Sequence, residues 1–122
     1  MKRILAADDD PAIRFVIKNT LGGNFDLTLV ENGEQVLDLL ARNPDWACVV
    51  LDVDMPGKTG MDVLREMKAS PTLRAIPVVI LTGVADLKTE VEALKGGVVT
   101  YFHKPFSPSQ LRSVVTATTR NR

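Results

Sequence analysis

Three acids in a row, Asp8, Asp9 and Asp10, follow the short run RILAA, and a fourth, Asp52, follows the apolar Val49–Leu51. Asp54 stands two positions later, just before Met55-Pro56-Gly57. Thr82, backed by Gly83, closes the run PVVIL, and Lys104 comes directly after YFH. Acids brought together in this way need a partner. Two unpaired carboxylates ~4 Å apart repel by about 4 kcal/mol at an effective dielectric of about 20. A cluster of three persists only with a cation or with retained protons. Lys104 is one candidate cation and a divalent metal is the other. With His103 aside, every available ligand is a hard oxygen, which favours Mg²⁺, or Mn²⁺, over zinc. Such an ion takes one or two carboxylates and leaves another to react. A carboxylate that attacks phosphorus gives an aspartyl phosphate. The transferring group then needs its oxygens neutralised, a task for the metal, Lys104 and the Thr82 hydroxyl.

These residues are spread over nearly a hundred positions, so the elements between them must bring them together. Runs that read as strands are Arg3–Ala7, Phe25–Val30, Ala47–Leu51, Pro77–Leu81 and Val98–Phe102. ACVVL and PVVIL are apolar without alternation, the pattern of strands covered on both faces. Helical patterns fill the gaps. Asp10-Pro11 reads as a cap with proline at the first helical position, and Ile13, Val16, Ile17 and Leu21 recur at helical spacing before Gly22-Gly23. Asn32 caps a second helix. A third begins near Gly60. A fourth starts at Asp86 and ends at Gly96-Gly97. Ser107-Pro108-Ser109-Gln110 reads as a capping box opening the fifth. Alternating strands and helices predict an α/β fold, a central parallel sheet with helices on both faces and right-handed crossovers. Ligands of such sheets sit outside the carboxyl ends of the strands, which is where the acids, Thr82 and Lys104 fall.

Composition bounds the rest. A chain of 122 residues, 45% hydrophobic and 25% charged, predicts one globular domain over residues 1–122. Fifteen bases balance fifteen acids, so no global field draws nucleic acid or an anionic membrane. Cys48 is a lone thiol and reads as a core residue. The apolar runs fall short of the ~20 residues of a membrane span, and the N-terminal run is too short for a signal peptide. A cytoplasmic protein is expected. Trp46 is expected to pack at a strand start, Met61 and Met67 to fill core or edge, and His103 to face away from Lys104 at the surface.

Taken in order, "ILAADDDPAIR", "VVLDVDMPGKTG", "VVILTG" and "YFHKPF" resemble the four signature segments of the receiver domain of bacterial response regulators, over essentially the whole chain. The resemblance implies a doubly wound, flavodoxin-like sheet of order 2-1-3-4-5 with five helices. It implies that Asp52 is the phosphoacceptor, served by a histidine kinase, a phosphotransfer protein or a small acyl phosphate. Asp9 would bind Mg²⁺ (or Mn²⁺) directly, Asp8 mostly through water, and Asp54 through its backbone carbonyl. Lys104 would pair with the phosphoryl group and Thr82 would hydrogen-bond it. Tyr101 would be the aromatic switch, and the Lys104–Pro105 peptide would be cis. A downstream protein or effector domain would dock on the face of helix four, strand five and helix five, without direct contact of this chain with nucleic acid or membrane. The chain would be a phosphoacceptor that catalyses its own phosphorylation and dephosphorylation, not a conventional enzyme. Some features depart from the common pattern. Ala6-Ala7 are small, "NPDWACVV" is long, and Val98-Val99-Thr100 replaces the acids that DNA-binding members use in their dimer interface. Asp54 and Val84 occupy positions that tune dephosphorylation in that family.

Asp-x-Asp after an apolar strand also resembles haloacid-dehalogenase-type phosphohydrolases, in which Asp52 would be nucleophile and Asp54 general acid/base. Against this, the extra acids here come first in the chain, there is no room for a cap domain, and Met55-Pro56-Gly57 turns the backbone at once. A flavin-binding module would need a glycine- and hydroxyl-rich phosphate loop after the first strand, where this chain has three acids.

Overall fold

A computed structural model describes residues 1–83 and 86–120. Val84, a position that tunes dephosphorylation in the family resembled, lies outside the described residues. The described elements are β1 (Arg3–Ala7), α1 (Pro11–Leu21), β2 (Asp26–Val30), α2 (Gly33–Arg42), β3 (Cys48–Asp52), α3 (Gly60–Ala69), β4 (Val78–Thr82), α4 (Leu87–Lys95), β5 (Thr100–His103) and α5 (Pro108–Thr119). All strand pairs are parallel, in the order β2-β1-β3-β4-β5, as expected.

Strand alternation divides the core in two. Leu5, Ala7, Val49, Leu51, Val78 and Ile80 face one layer, together with Val36 and Leu40 of α2, Leu64 and Met67 of α3, and Ala93 of α4. Ile4, Ala6, Cys48, Val50, Val79 and Leu81 face the other, with Ile17 and Leu21 of α1 and Leu111 and Val115 of α5. Every residue of β3 and β4 is buried, which is why their sequences lack alternation. Trp46 is buried where the chain enters β3; its Nε1 donates to the Asn43 carbonyl at 2.7 Å and the Arg3 guanidinium lies 4.1 Å from its ring centre. Met61 and Met67 are core residues. No helix among the described residues is long and apolar enough to cross a membrane.

The strand ends differ from the sequence reading by a residue or two. Asp52, Thr82 and His103 are the last rungs of their strands, not residues beyond them, because Asp52 stays in register with Leu81 and Thr82 with His103. β5 begins at Thr100 instead of Val98. Gly97 (φ 79°) reverses the chain after α4, and the Val98 amide is taken by the Ala93 carbonyl at 3.4 Å. The helix caps at Asp10, Asn32, Asp86 and Ser107 are as read. At Ser107 the side chain accepts from the Gln110 amide at 3.3 Å, but the two-way capping box is at α3 instead, between Thr59 and Asp62. Here Asp62 closes the box in the place that Glu or Gln most often fills.

Gly60 fixes how β3 leads into α3. Its amide donates to the Val53 carbonyl at 3.0 Å, and a Cβ there would lie 2.2 Å from the Asp52 carbonyl oxygen. Gly60→Ala is therefore expected to destabilise the fold by about 1–3 kcal/mol, through strain between two backbones that cannot separate. Gly23→Ala meets nothing within 4 Å and is expected to be neutral or slightly stabilising. Urea unfolding of the two variants beside the native chain checks both.

Candidate functional site

At the carboxyl ends of the strands, alternation also sorts the polar residues. Asp8, Asp52 and Lys104 continue the parity of Ala6, Val50 and Phe102, so they turn toward one another beyond the sheet. Thr82, Tyr101 and His103 have the opposite parity, that of Ile80.

Asp8 is fully buried and Asp52 is 2% exposed. Lys104 lies between them: its Nζ donates to Asp52 Oδ1 at 3.2 Å and is 2.8 Å from Asp8 Oδ2. The Asp10 amide donates to Asp8 Oδ1 at 2.9 Å, and the Asp54 amide to Asp52 Oδ1 at 3.3 Å. Carboxylate oxygens of Asp8, Asp9 and Asp52 all lie within 4.8 Å of one another. A cavity of about 290 Å³, lined by Asp9, Asp10, Asp52, Asp54, Gly83 and Lys104, opens over them.

One lysine does not balance this set. Burial, and then the charge of Asp8, push the Asp52 carboxyl up to about 6, against the pull of Lys104. Burial opposes the charge of Lys104 too, yet Asp8 and Asp52 outweigh it and raise its pKa. Asp8 Oδ2 is buried with the Lys104 ion pair but no aligned hydrogen bond, so it has accepting capacity left over. Three converging carboxylates, all oxygen donors, fit a hard divalent cation with bound water. Asp52 forms part of the cavity wall.

Of the residues singled out from sequence, Asp8, Asp9, Asp52 and Lys104 come together, and Asp54 joins the cavity lining with its side chain exposed. Thr82 does not line the cavity. It is fully buried on the other parity, and the lining residue of that loop is Gly83. Tyr101 is half-buried with its ring already packed on the core layer that holds Ile80. Its hydroxyl is buried without a hydrogen bond of good geometry. Burial raises its pKa, and the nearby Thr82 hydroxyl counters this in part. His103 is exposed and meets Tyr101 edge-on, with ring centres 5.3 Å apart and planes at 70°. The Lys104–Pro105 peptide is cis. Asp10, read from sequence as a helix cap within the run of acids, both caps α1 and lines the cavity. One site residue, Arg14, escaped the sequence reading: it holds the Asp8 backbone carbonyl, which needs the helix to turn it back over the acidic segment.

Residues 4–116 match the response regulator receiver domain family. A chemotaxis protein CheY homolog of Campylobacter jejuni is 32% identical over 112 residues, which cover 90% of this chain and 86% of that protein. A response regulator receiver domain protein from Clostridium thermocellum superposes with a TM-score of 0.89 at 29% identity, covering 98% of this chain and 95% of that one. The Mn²⁺-bound form of response regulator Rcp1 superposes with a TM-score of 0.82 at 25% identity, covering 96% and 91% of the two chains.

Proposed function

The chain belongs to the response regulator receiver domain family, and from that premise we propose that Asp52 accepts a phosphoryl group from a histidine kinase, a phosphotransfer protein or an acyl phosphate. The observation that carries this is the bridge of Lys104 between Asp8 and Asp52 beside Asp9, at the mouth of an acidic cavity. An Asp52 carboxylate oxygen attacks phosphorus, forming the P–O bond of an acyl phosphate. The donor's P–O or P–N bond breaks, and its electron pair leaves with the donor. Lys104 transfers its contact from the Asp52 carboxylate to the new phosphoryl oxygens. A Mg²⁺ or Mn²⁺ ion held by Asp9 and Asp52, with the Asp54 carbonyl and Asp8 in support, would neutralise charge on the transferring group. The Mn²⁺-bound relative supports this ligand chemistry.

Thr82 completes the response. Its hydroxyl must leave its buried position to reach a phosphoryl group on Asp52, and Tyr101 is packed beside it. The dianion therefore stabilises a displaced position of Thr82 at the end of β4, with Tyr101 holding the core side. The face of α4, β5 and α5 changes its affinity for a downstream protein partner. This is a shift between two populations. Moving it from 1:99 to 99:1 requires about 5.5 kcal/mol of differential stabilisation, within reach of two or three charge-assisted hydrogen bonds at roughly 1.5–3 kcal/mol each.

Intact mass after incubation with acetyl phosphate and Mg²⁺ tests the proposal. A gain of one phosphate is expected, and EDTA in place of Mg²⁺ is expected to abolish it. No gain with the metal present would overturn the assignment. The phosphohydrolase alternative finds no support among the relatives, and the exposed Asp54 contacts Asp52 only through its backbone amide among the described contacts. Asp54→Asn is accordingly expected to keep the full phosphate gain. If that substitution instead abolished uptake, Asp54 would have a chemical role.

A further inference from the structure

The acidic segment is anchored from outside by a side chain with no role in the chemistry above. Arg14, early in α1, donates from Nη1 to the Asp8 backbone carbonyl at 2.7 Å. Its Nη2 lies 3.6 Å from Glu31 Oε1, just after β2. The Arg14 side chain is only 19% exposed, so the bond to the carbonyl is shielded from water.

That carbonyl has little else to hold it. The ladder between β1 and β3 ends at Ala7 and Leu51, so Asp8 lies past the last rung. Its amide is held by the Val30 carbonyl at 3.2 Å, and its carboxylate by the Asp10 amide and Lys104. Once Arg14 holds the carbonyl as well, the Asp8 end of the planar Asp8–Asp9 peptide is fixed, and planarity carries that orientation to the Asp9 amide. The orientation of that plane sets where the exposed Asp9 carboxylate projects. The charge of Arg14 is offset by Glu31, so its main action on the acids is through geometry.

The geometry points to Arg14 as a positioning residue that presents Asp9 for divalent cation binding; the inference rests on the reading that Asp8, Asp9 and Asp52 hold such an ion. Groups that orient ligands without touching the metal typically contribute 10–100-fold to affinity. The test is a Mn²⁺ titration of the full chain, followed by the free-ion paramagnetic resonance signal, with thermal unfolding in parallel. Arg14→Met combined with Glu31→Gln keeps the net charge and removes the donor. It is expected to weaken Mn²⁺ binding about 10-fold. Arg14→Lys, which retains a cationic donor on a long stem, is expected to lose less than the double variant. A lowered melting temperature with an unchanged Mn²⁺ dissociation constant would show that Arg14 only braces the fold, and would overturn the inference. Failure of the native chain to bind Mn²⁺ would remove the inference together with the reading beneath it.

Discussion

Asp52→Asn is expected to end phosphate uptake and, in metal-free buffer, to make the fold more stable above pH 6. The first effect follows from removing the attacking oxygen, since an amide is not a nucleophile toward phosphorus at neutral pH. The second follows from where Asp52 sits. Burial and the charge of Asp8 raise its pKa from 3.8 to about 6, so the folded chain binds that proton more tightly than the unfolded chain. The contribution of the group to stability is fully present below about 3.8 and is lost as pH rises through about 6. Above that range an ionised Asp52 works against folding. The full shift would correspond to about 3 kcal/mol, and the opening of the cavity to solvent screens it to ~1–2 kcal/mol. Asn removes that burden, and Lys104 keeps Asp8 as a partner. Urea unfolding in EDTA at pH 8 and pH 4 should therefore show a gain for the variant at pH 8 that nearly vanishes at pH 4. Equal stabilities at pH 8 would contradict the electrostatic picture of the site.

Lys104→Met is expected to have the opposite sign and a larger size. It leaves Asp8 and Asp52 buried and facing each other without their shared cation. Removing one member of a buried ionic group can destabilise by about 3–5 kcal/mol. Lys104 is 18% exposed, so about 2–3 kcal/mol is expected at pH 8 after partial screening. Lys104 lowers the pKa of Asp52 in the native chain, so without it Asp52 takes up its proton at higher pH, and the loss should shrink as pH falls toward about 6 from above. It should shrink equally when Asp52→Asn is combined with Lys104→Met. That non-additivity is the signature of direct coupling between the pair. Additive effects would mean that Lys104 stabilises through packing of its stem alone. Phosphate uptake by the single variant should also fall, because the transferring oxygens lose their cation.

The local signals in the chain were readable because their physics is local. Asp10-Pro11, Asn32, Asp86 and Ser107-Pro108 cap helices through bonds that span only two or three residues. The unbroken apolar runs before Asp52 and within PVVIL pointed to doubly covered strands, and β3 and β4 are buried throughout. The position of β5 was less legible. Its valines suit a strand, but the reversal at Gly97 and the bond from Val98 to Ala93 claim the first of them for the end of α4. The Thr59–Asp62 box was missed because a cap is judged from residue types, and the types here differ from the commonest pair.

The sequence by itself determined that Asp8, Asp9, Asp52 and Lys104 gather at one rim and which end of the sheet carries it, but not the place of Arg14 or of Thr82. Residue type and distance from a strand end are enough for that, given that parallel α/β sheets bind at their carboxyl edge. Only the tertiary structure decided how those side chains meet. It put Lys104 between Asp8 and Asp52, raised Asp52 toward neutral pH by burying it beside another acid, and set Thr82 with Tyr101 on the opposite face. It also placed Arg14 on the Asp8 carbonyl. These outcomes depend on strand register and on charges distant in sequence, and a shift of one residue in register would turn each side chain to the other face.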